Sequence, residues 1–308
     1  MVTIQPPILI SSRGDILPRF SLVVATFGRT DELKVLLASL AKQSFSDYEV
    51  IVVDQNSDDR VAPILAEYAD SVPCNHVCCS PGASKARNLG FALAKGEIVA
   101  FPDDDCWYTP NLLADVDMWF RENVDYSIFA VGAVDEDGIS SGNRWIQSKC
   151  DLHPINVFRT TFCSSLFIRN NSKSREAYFD EMIGPGSRTM FACGDETDFI
   201  LQLMGSGMRG RFDRTWTIGH PRRDMLSSSI SHERAVSYGR GMGRVLRKHS
   251  LFSLWLALMT YDFLRGVVVA MRGRTSAAHL CFSHCRGVFS GFSASRPLEI
   301  RFEEEVNL

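Results

Sequence analysis

The sequence predicts an α/β fold: a mostly parallel sheet flanked by helices, followed by a helical C-terminal extension that is basic and apolar. Short runs rich in β-branched residues, such as "FSLVVAT" and "YEVIVVD", are typical of buried strands. Segments with apolar residues at helical spacing separate these runs, and this alternation indicates β–α–β units. Residues 231–308 contain long basic and apolar segments instead, so we expect helices there.

The alternating pattern occupies residues 20–115, after a leader at residues 1–19. Its expected strands are "FSLVVAT", "YEVIVVD", "HVCCS" and "EIVAF". Thr30 can cap the first helix, whose leucines recur at i, i+3, i+4 and i+7. The helix in "GASKARNLGFALAKG" is expected to end at Gly96, and the next helix to start with Pro110 at its first position.

Residues 116–230 are less regular but complete the same domain, so residues 20–230 are expected to fold together. The segment "GDETDFILQLMGSG" predicts a helix whose first turn is rich in acidic residues, which suits the helix dipole. Further strands are expected at 127–134, 163–169 and 215–221.

The charge distribution and the cysteine content indicate the kind of partner and the cellular compartment to expect. Residues 207–296 contain 15 Lys or Arg and four Asp or Glu, whereas the rest of the chain contains 18 and 32. This asymmetry favours an anionic partner or surface near the C-terminus, and no nucleic acid is expected. Nine cysteines and the lack of a secretory signal predict a cytoplasmic protein with free thiols. The Cys and His spacings do not match paired zinc knuckles.

The segment "LFSLWLALMTYDFLRGVVVAM" (251–271) is long enough to span a bilayer. Asp262 and Arg265 lie near its middle, where charge is costly, so an interfacial or partner-buried helix pair is expected instead. The preceding basic helix could contact anionic lipid, and we expect residues 231–292 to allow peripheral binding to the cytoplasmic membrane face. The motif "YGRGMGR" (238–244) does not follow a strand, so it is not a dinucleotide loop.

Polar side chains collect where the predicted parallel strands end. Thr26 and Asp54 end the first two strands, Ser80 follows the third, and three acids, 103–105, follow the fourth. Ligands bind at this edge of such sheets. Carboxylates there can bind Mg²⁺ or Mn²⁺, and the cation would offset the repulsion among the acids.

Taken together, "LVVATFGRTDELKVLLASLAKQSFSDYEVIVVDQNSDD" and "PGASKARNLGFALAKGEIVAFPDDD" resemble the family 2 glycosyltransferases, which have the Rossmann-like GT-A fold. The resemblance is close over residues 20–115 and looser to about residue 220. It implies an inverting transfer of a sugar from a nucleotide-diphosphate donor, with Mn²⁺ or Mg²⁺ as cofactor. "DQNS" (54–57) departs from the family's usual "DDGS", because Gln55 stands where the family has its second acid.

The resemblance also implies roles for individual residues. Thr26 and Asp54 would line the base pocket, with Asp54 accepting from a ring N–H of uracil or thymine. Arg87 would contact the nucleotide. Asp103 would bind the ribose and the metal, and Asp105 the metal, while Asp104 would be a spacer.

An inverting transfer needs a general base for the acceptor hydroxyl. "CGDETDF" (193–199) resembles the family's acidic motif, and its register places Glu196 at the base and Asp195 before it, although either could act. His220 would be a third metal ligand or a diphosphate contact, and Arg222 and Arg223 could meet the diphosphate.

The leading hypothesis is thus a glycosyltransferase that uses a UDP- or dTDP-sugar and a glycan or polyprenyl-linked acceptor in surface polysaccharide synthesis. A sugar nucleotidyltransferase is one alternative, but "TFGRTDE" is not the glycine- and arginine-rich loop expected after its first strand. A non-catalytic, membrane-associated glycan-binding or scaffold protein on the same fold is the other. The strand-end acids argue against it.

Overall fold

An eight-stranded sheet forms the centre of the protein in the computed structural model, which describes residues 17–141, 145–221 and 232–294. The first half comprises β1 (Phe20–Thr26), α1 (Asp31–Leu40), β2 (Tyr48–Asp54), α2 (Val61–Glu67), β3 (Cys74–Cys78), α3 (Ala83–Leu93), β4 (Ile98–Ala100) and α4 (Leu112–Glu122). The second half comprises β5 (Ile128–Val134), β6 (Cys150–Asp151), β7 (Leu166–Arg169), α5 (Asp195–Gly205) and β8 (Gly210–Gly219). Three helices follow: α6 (His232–Lys248), α7 (Phe252–Met271) and α8 (Thr275–Ser293).

The strand order is β3-β2-β1-β4-β7-β5-β8-β6. The four strands of the first half are all parallel, as predicted. In the second half β7 runs antiparallel to both β4 and β5, β8 is parallel to β5, and β6 is antiparallel to β8. The carboxyl ends of the four parallel strands therefore meet at one edge, where the acidic residues were expected.

The predicted apolar face of α1 is confirmed, because Leu33, Leu36, Leu37 and Leu40 are all fully buried. Burial on both faces of β1 and β2 explains why those strands read as continuous apolar runs rather than alternating ones. Removal of this surface from water is the main driving force for the fold.

One helix start was predicted correctly, and two helix boundaries were wrong. α1 begins at Asp31, directly after Thr30 as predicted, although Thr30 makes no side-chain cap hydrogen bond. α4 begins at Leu112, since the carbonyl of Pro110 accepts instead from the backbone N–H of Ser44 at 2.8 Å. α3 ends at Leu93, before Gly96. A Cβ atom on Gly96 would lie 2.5 Å from the nitrogen of Ser21, so this glycine permits close approach to β1 rather than ending the helix.

The three C-terminal helices pack through glycines. α6 and α8 are in close backbone contact at Gly239, Gly243, Gly287 and Gly291, where an added Cβ would lie 2.0–2.4 Å from a carbonyl oxygen of the other helix. α7 packs on α8, and the buried carboxylate of Asp262 bonds to Nδ1 of His284 at 2.6 Å. The expected helix pair is therefore a group of three, and the acid within the apolar segment faces protein.

Most of the surface of α7 remains exposed, including Phe252, Leu256, Phe263, Leu264 and Met271. Among the described residues, this is the one helix long and apolar enough to cross a membrane by length and composition. Arg265 on α7 and Arg272 and Arg274, which follow its end, are exposed as well.

Candidate active site

The expected gathering of side chains at the sheet edge is present. Thr26 is directly opposite Asp54 in the β1–β2 pairing, and Asp54 is opposite Cys78 on β3. The turn after β4 reaches the same place, because the hydroxyl of Thr26 donates to Oδ2 of Asp104 at 2.8 Å. Residues 78 positions apart in the sequence are thereby joined in one site.

Asp104 is more than a spacer between its neighbours. It is buried, and besides Thr26 it binds the guanidinium of Arg29 at 2.5 Å. Burial raises the pKa of the Asp104 carboxyl, and Arg29 opposes that change. Arg29 also lies 2.8 Å from Asp105, so it stabilises two of the three acids. Arg29 is a site residue that sequence patterns did not predict, although its place in the turn directly after β1 was a usable signal.

Asp103, Asp105 and His220, the three residues expected to bind the metal, lie together in a cluster that could hold a metal ion. One ligand atom from each of the three lies within 4.8 Å of the other two. Nε2 of His220 is 3.6 Å from Asp105, while Nδ1 is 2.9 Å from the carbonyl oxygen of Pro221. With Nδ1–H donating to that carbonyl, the lone pair of Nε2 faces the acids, as a metal-binding imidazole requires. Two carboxylates and one imidazole suit Mn²⁺ or Mg²⁺.

A tight contact sets the position of His220. Trp107 and Gly219 exchange two backbone hydrogen bonds, of 2.9 and 2.8 Å, which tie the turn after the three acids to the end of β8. A Cβ atom on Gly219 would lie 1.8 Å from the indole of Trp107, so glycine is required there. The ring of Phe162 packs edge-on against the imidazole, with centroids 4.9 Å apart. His220 is therefore held beside Asp105 by both backbone and side-chain contacts.

Arg87 on α3 connects α5 to the cation cluster, which consists of Asp103, Asp105 and His220. Its Nη2 lies 2.9 Å from Asp103, and its Nη1 lies 2.8 Å from Asp195. Two nitrogens of the side chain expected to contact the nucleotide are thus engaged by acids of the protein. Arg222 and Arg223, the other expected diphosphate contacts, lie outside the described residues.

Asp195 and Glu196 occupy different environments at the start of α5. Asp195 is buried and paired with Arg87, whereas Glu196 is partly exposed and accepts the backbone N–H of Cys163 at 2.7 Å. Partial removal of its carboxyl from water and the nearby charge of Asp195 raise the pKa of Glu196 to about 7, against the opposing effect of Arg87. Burial raises the pKa of Asp195 as well. These effects outweigh the helix dipole, which favours ionised acids at this position.

Asp54, which was expected to bind the base of the nucleotide, is already bonded to other residues of the protein. Asp54 is almost fully buried and accepts from Asn56 at 2.7 Å and from Nε2 of His76 at 3.1 Å. The side chain of Gln55 accepts from the N–H of Gly82 at 2.8 Å, so the departure from the family's second acid has a structural role in the loop before α3.

A cavity of about 370 Å³ opens between the first strands, α3 and the three acids. Thr26 and Asp54 do not line its wall, because both side chains are buried. The hydroxyl of Thr26 is engaged by Asp104, and the contacts of Thr26 and Asp54 with a base stay predictions. The wall includes Ala25, Phe27, Arg29, Gln55, Gly82, Arg87 and the acids 103–105.

A parallel half-sheet, an acidic turn after its fourth strand and a further acid at a helix start are the features expected of the GT-A fold. The profile of the family called Glycosyl transferase family 2 matches residues 21–180. An uncharacterized glycosyltransferase of Haemophilus influenzae is 36% identical over 225 residues, which are 71% of this chain and 75% of that protein. The chain belongs to glycosyl transferase family 2, and it is an enzyme of that kind.

Two further proteins are similar to this chain, one over about a third of its length and one over most of it. An Escherichia coli enzyme, UDP-Glc:alpha-D-GlcNAc-diphosphoundecaprenol beta-1,3-glucosyltransferase WfaP, is 31% identical over 111 residues, or 35% of this chain and 43% of that protein. The mannosyltransferase PcManGT of Pyrobaculum calidifontis, solved in complex with GDP-Man and Mn²⁺, has a TM-score of 0.61 at 14% identity. That match covers 91% of this chain and 88% of the other and shows a shared fold.

Proposed function

We propose that this protein is an inverting, metal-dependent transferase that moves a sugar from a UDP- or dTDP-linked donor to a hydroxyl of a glycan or lipid-linked acceptor. One observation carries the proposal: Arg87 bonds to both Asp103 and Asp195, so the cation cluster and the acids of α5 are separated by a single side chain. An inverting transfer needs its leaving diphosphate and its general base at such neighbouring positions.

The donor would bind in the cavity beside the three acids. Asp103, Asp105 and His220 would hold Mn²⁺ or Mg²⁺, which when bound would neutralise charge on the leaving diphosphate. Asp54 is the proposed acceptor for a ring N–H of the base, and it would exchange one of its present contacts for that bond. Thr26 and Arg29 act through Asp104, since they fix the backbone of the acidic turn.

Glu196 is the proposed general base. Asp195 is tied to Arg87, and its pairing leaves it less free to accept a proton. A carboxylate with a pKa of about 7 is balanced between holding and releasing a proton near neutral pH, and such a group can take the proton of the attacking hydroxyl. The nucleophile is then the acceptor oxygen, which attacks the anomeric carbon on the face opposite the diphosphate.

A lipid-linked acceptor is supported by the relative WfaP, whose name specifies a sugar linked to diphosphoundecaprenol, and by the exposed apolar surface of α7. We propose that this surface rests on an anionic membrane, where the exposed arginines 265, 272 and 274 meet lipid phosphates. The enzyme would then act in surface polysaccharide synthesis as a peripheral protein of the cytoplasmic membrane face.

The deciding experiment screens UDP-Glc, UDP-Gal, UDP-GlcNAc and dTDP-rhamnose for release of nucleotide diphosphate, with Mn²⁺, Mg²⁺ or excess EDTA. Turnover of at least one donor that requires the cation is the expected result. Wild-type protein that binds Mn²⁺ and UDP but turns over none of the donors with any glycan or polyprenyl-linked acceptor offered would contradict a catalytic role.

A further inference from the structure

A fully buried carboxylate lies two residues after Glu196, and two of its partners come from the C-terminal extension. Asp198 on α5 has no exposed surface. Its Oδ1 accepts from Nε2 of His249 at 2.7 Å, and its Oδ2 accepts from Nζ of Lys248 at 2.8 Å. Gln202, one turn further along α5, donates to Oδ2 at 2.8 Å. A carboxylate without partners is poorly tolerated in a protein interior, so Asp198 depends on these contacts. Because two of them come from Lys248 and His249, they fasten the end of α6 to α5.

The same helix touches the chain just before α5. α6 passes so close to Cys193 that a Cβ atom on Gly241 would lie 2.0 Å from the Cys193 carbonyl oxygen. Gly194, the next residue, has a φ of +104°, a conformation that glycine adopts readily and other residues rarely do. The turn that carries Asp195 and Glu196 is therefore fixed to α6 on both sides, by Gly241 before it and by the contacts of Asp198 after it.

We propose that α6 positions the general base. Asp198, Lys248, His249 and Gly241 act as positioning residues, which keep the start of α5 where Glu196 reaches the acceptor hydroxyl. All four lie outside the wall of the donor cavity. The inference rests on the proposed role of Glu196, and it makes the C-terminal extension a part of the catalytic apparatus rather than only an attachment to a surface.

A positioning role differs measurably from a role in stability alone. Loss of stability lowers the melting temperature and leaves kcat unchanged in the molecules that remain folded. Misplacement of Glu196 lowers kcat while the KM of the donor stays the same, because the donor is bound by the acidic turn and α3.

The first test compares Lys248→Met with Lys248→Arg in the full chain. Arg247→Met is the matched control, because Arg247 is exposed on the same turn and bonds to Phe292 of α8 rather than to α5. With the fastest donor of the panel, Lys248→Met is expected to lower kcat by at least about tenfold at unchanged donor KM. Lys248→Arg keeps the charge and restores most of kcat, and Arg247→Met matches wild type.

A second measurement does not depend on turnover. Amide hydrogen exchange in residues 193–198 should be faster in Lys248→Met than in wild type, while the affinity for UDP with Mn²⁺ is unchanged. Gly241→Ala tests the other contact and covers the case in which Lys248→Met does not fold. Its control is Gly205→Ala, since an added Cβ at Gly205 meets no atom within 4 Å.

Folded Lys248→Met and Gly241→Ala proteins with wild-type kcat and wild-type exchange in residues 193–198 would overturn the inference. Failure of the proposed function gives a different result. In that case Glu196→Gln retains turnover, or wild type turns over no donor, whatever the exchange experiment shows about α6.

Discussion

The guanidinium of Arg87 lies 2.8 Å from the carboxylate of Asp195, and this ion pair distinguishes two adjacent acids, either of which could be the base by sequence. Asp195 is held by the arginine, while Glu196 is left with one backbone hydrogen bond from Cys163 and a raised pKa. The same guanidinium reaches Asp103, so it also connects the start of α5, which carries the proposed base Glu196, to the cluster of Asp103, Asp105 and His220.

Glu196→Gln is expected to lower kcat by about 10²–10⁴-fold, the usual contribution of a general base, with little change in donor affinity. The amide keeps the size of the side chain and its bond to Cys163 but cannot accept the proton. Steady-state kinetics and titration calorimetry with UDP and Mn²⁺ measure the two effects. Turnover close to wild type would move the base to Asp195 or to another group.

The pH dependence follows from the raised pKa of Glu196. The base must be ionised, so kcat/KM should rise with pH up to about 7 and level off above it. Asp195 contributes to the raised pKa by repulsion, so Asp195→Asn should shift this rise to lower pH. A pH–rate profile measured at saturating Mn²⁺ on both proteins tests this. A rise that stays at the same pH in Asp195→Asn would contradict it.

Asp105→Ala and His220→Ala are each expected to remove the Mn²⁺ dependence of UDP binding and to abolish transfer, since each takes one ligand from the cluster. Glu136→Ala is a suitable control, because Glu136 is an exposed acid outside the cluster. Calorimetry with and without Mn²⁺ is the measurement. Unchanged, metal-dependent nucleotide binding by Asp105→Ala would refute the cation site.

Membrane binding should depend on the exposed side of α7. Replacement of Phe263 and Leu264 by Gln is expected to move the protein from the vesicle fraction to the soluble fraction in flotation with anionic vesicles. The control double variant replaces Val124 and Ile155 by Gln. Both residues are exposed and apolar but lie outside the C-terminal extension. Equal flotation of both double variants and wild type would exclude α7 as the contact. Binding to neutral vesicles as strong as binding to anionic vesicles would exclude a role for the arginines.

Point substitutions are preferable here to removal of residues 250–308. That truncation would strip α8 from the glycine face of α6, and α6 is in turn bound to α5 through Lys248 and His249. A truncated protein could therefore lose activity for reasons unrelated to lipid. The double variant on α7 leaves these contacts in place.

Much of the fold could be predicted because local patterns determine it. The leucines of α1 and the apolar runs of β1 and β2 are buried as their periodicity indicates. Helix ends were less predictable. α3 ends before Gly96 and α4 starts after Pro110 because these residues are engaged by β1 and by Ser44, from distant parts of the chain.

The sequence by itself determined the class of fold, the edge of the sheet where the site lies, and the residue types available there. Strand-end position is a local property, so Asp54 and the acids 103–105 could be placed without a structure. Only the tertiary structure decided how those groups divide their roles. Thr26 bonds to Asp104, Arg87 to Asp195 and Lys248 to Asp198, across 78, 108 and 50 residues. Such pairings depend on how strands and helices pack, and a buried charge takes whichever partner that packing brings within reach.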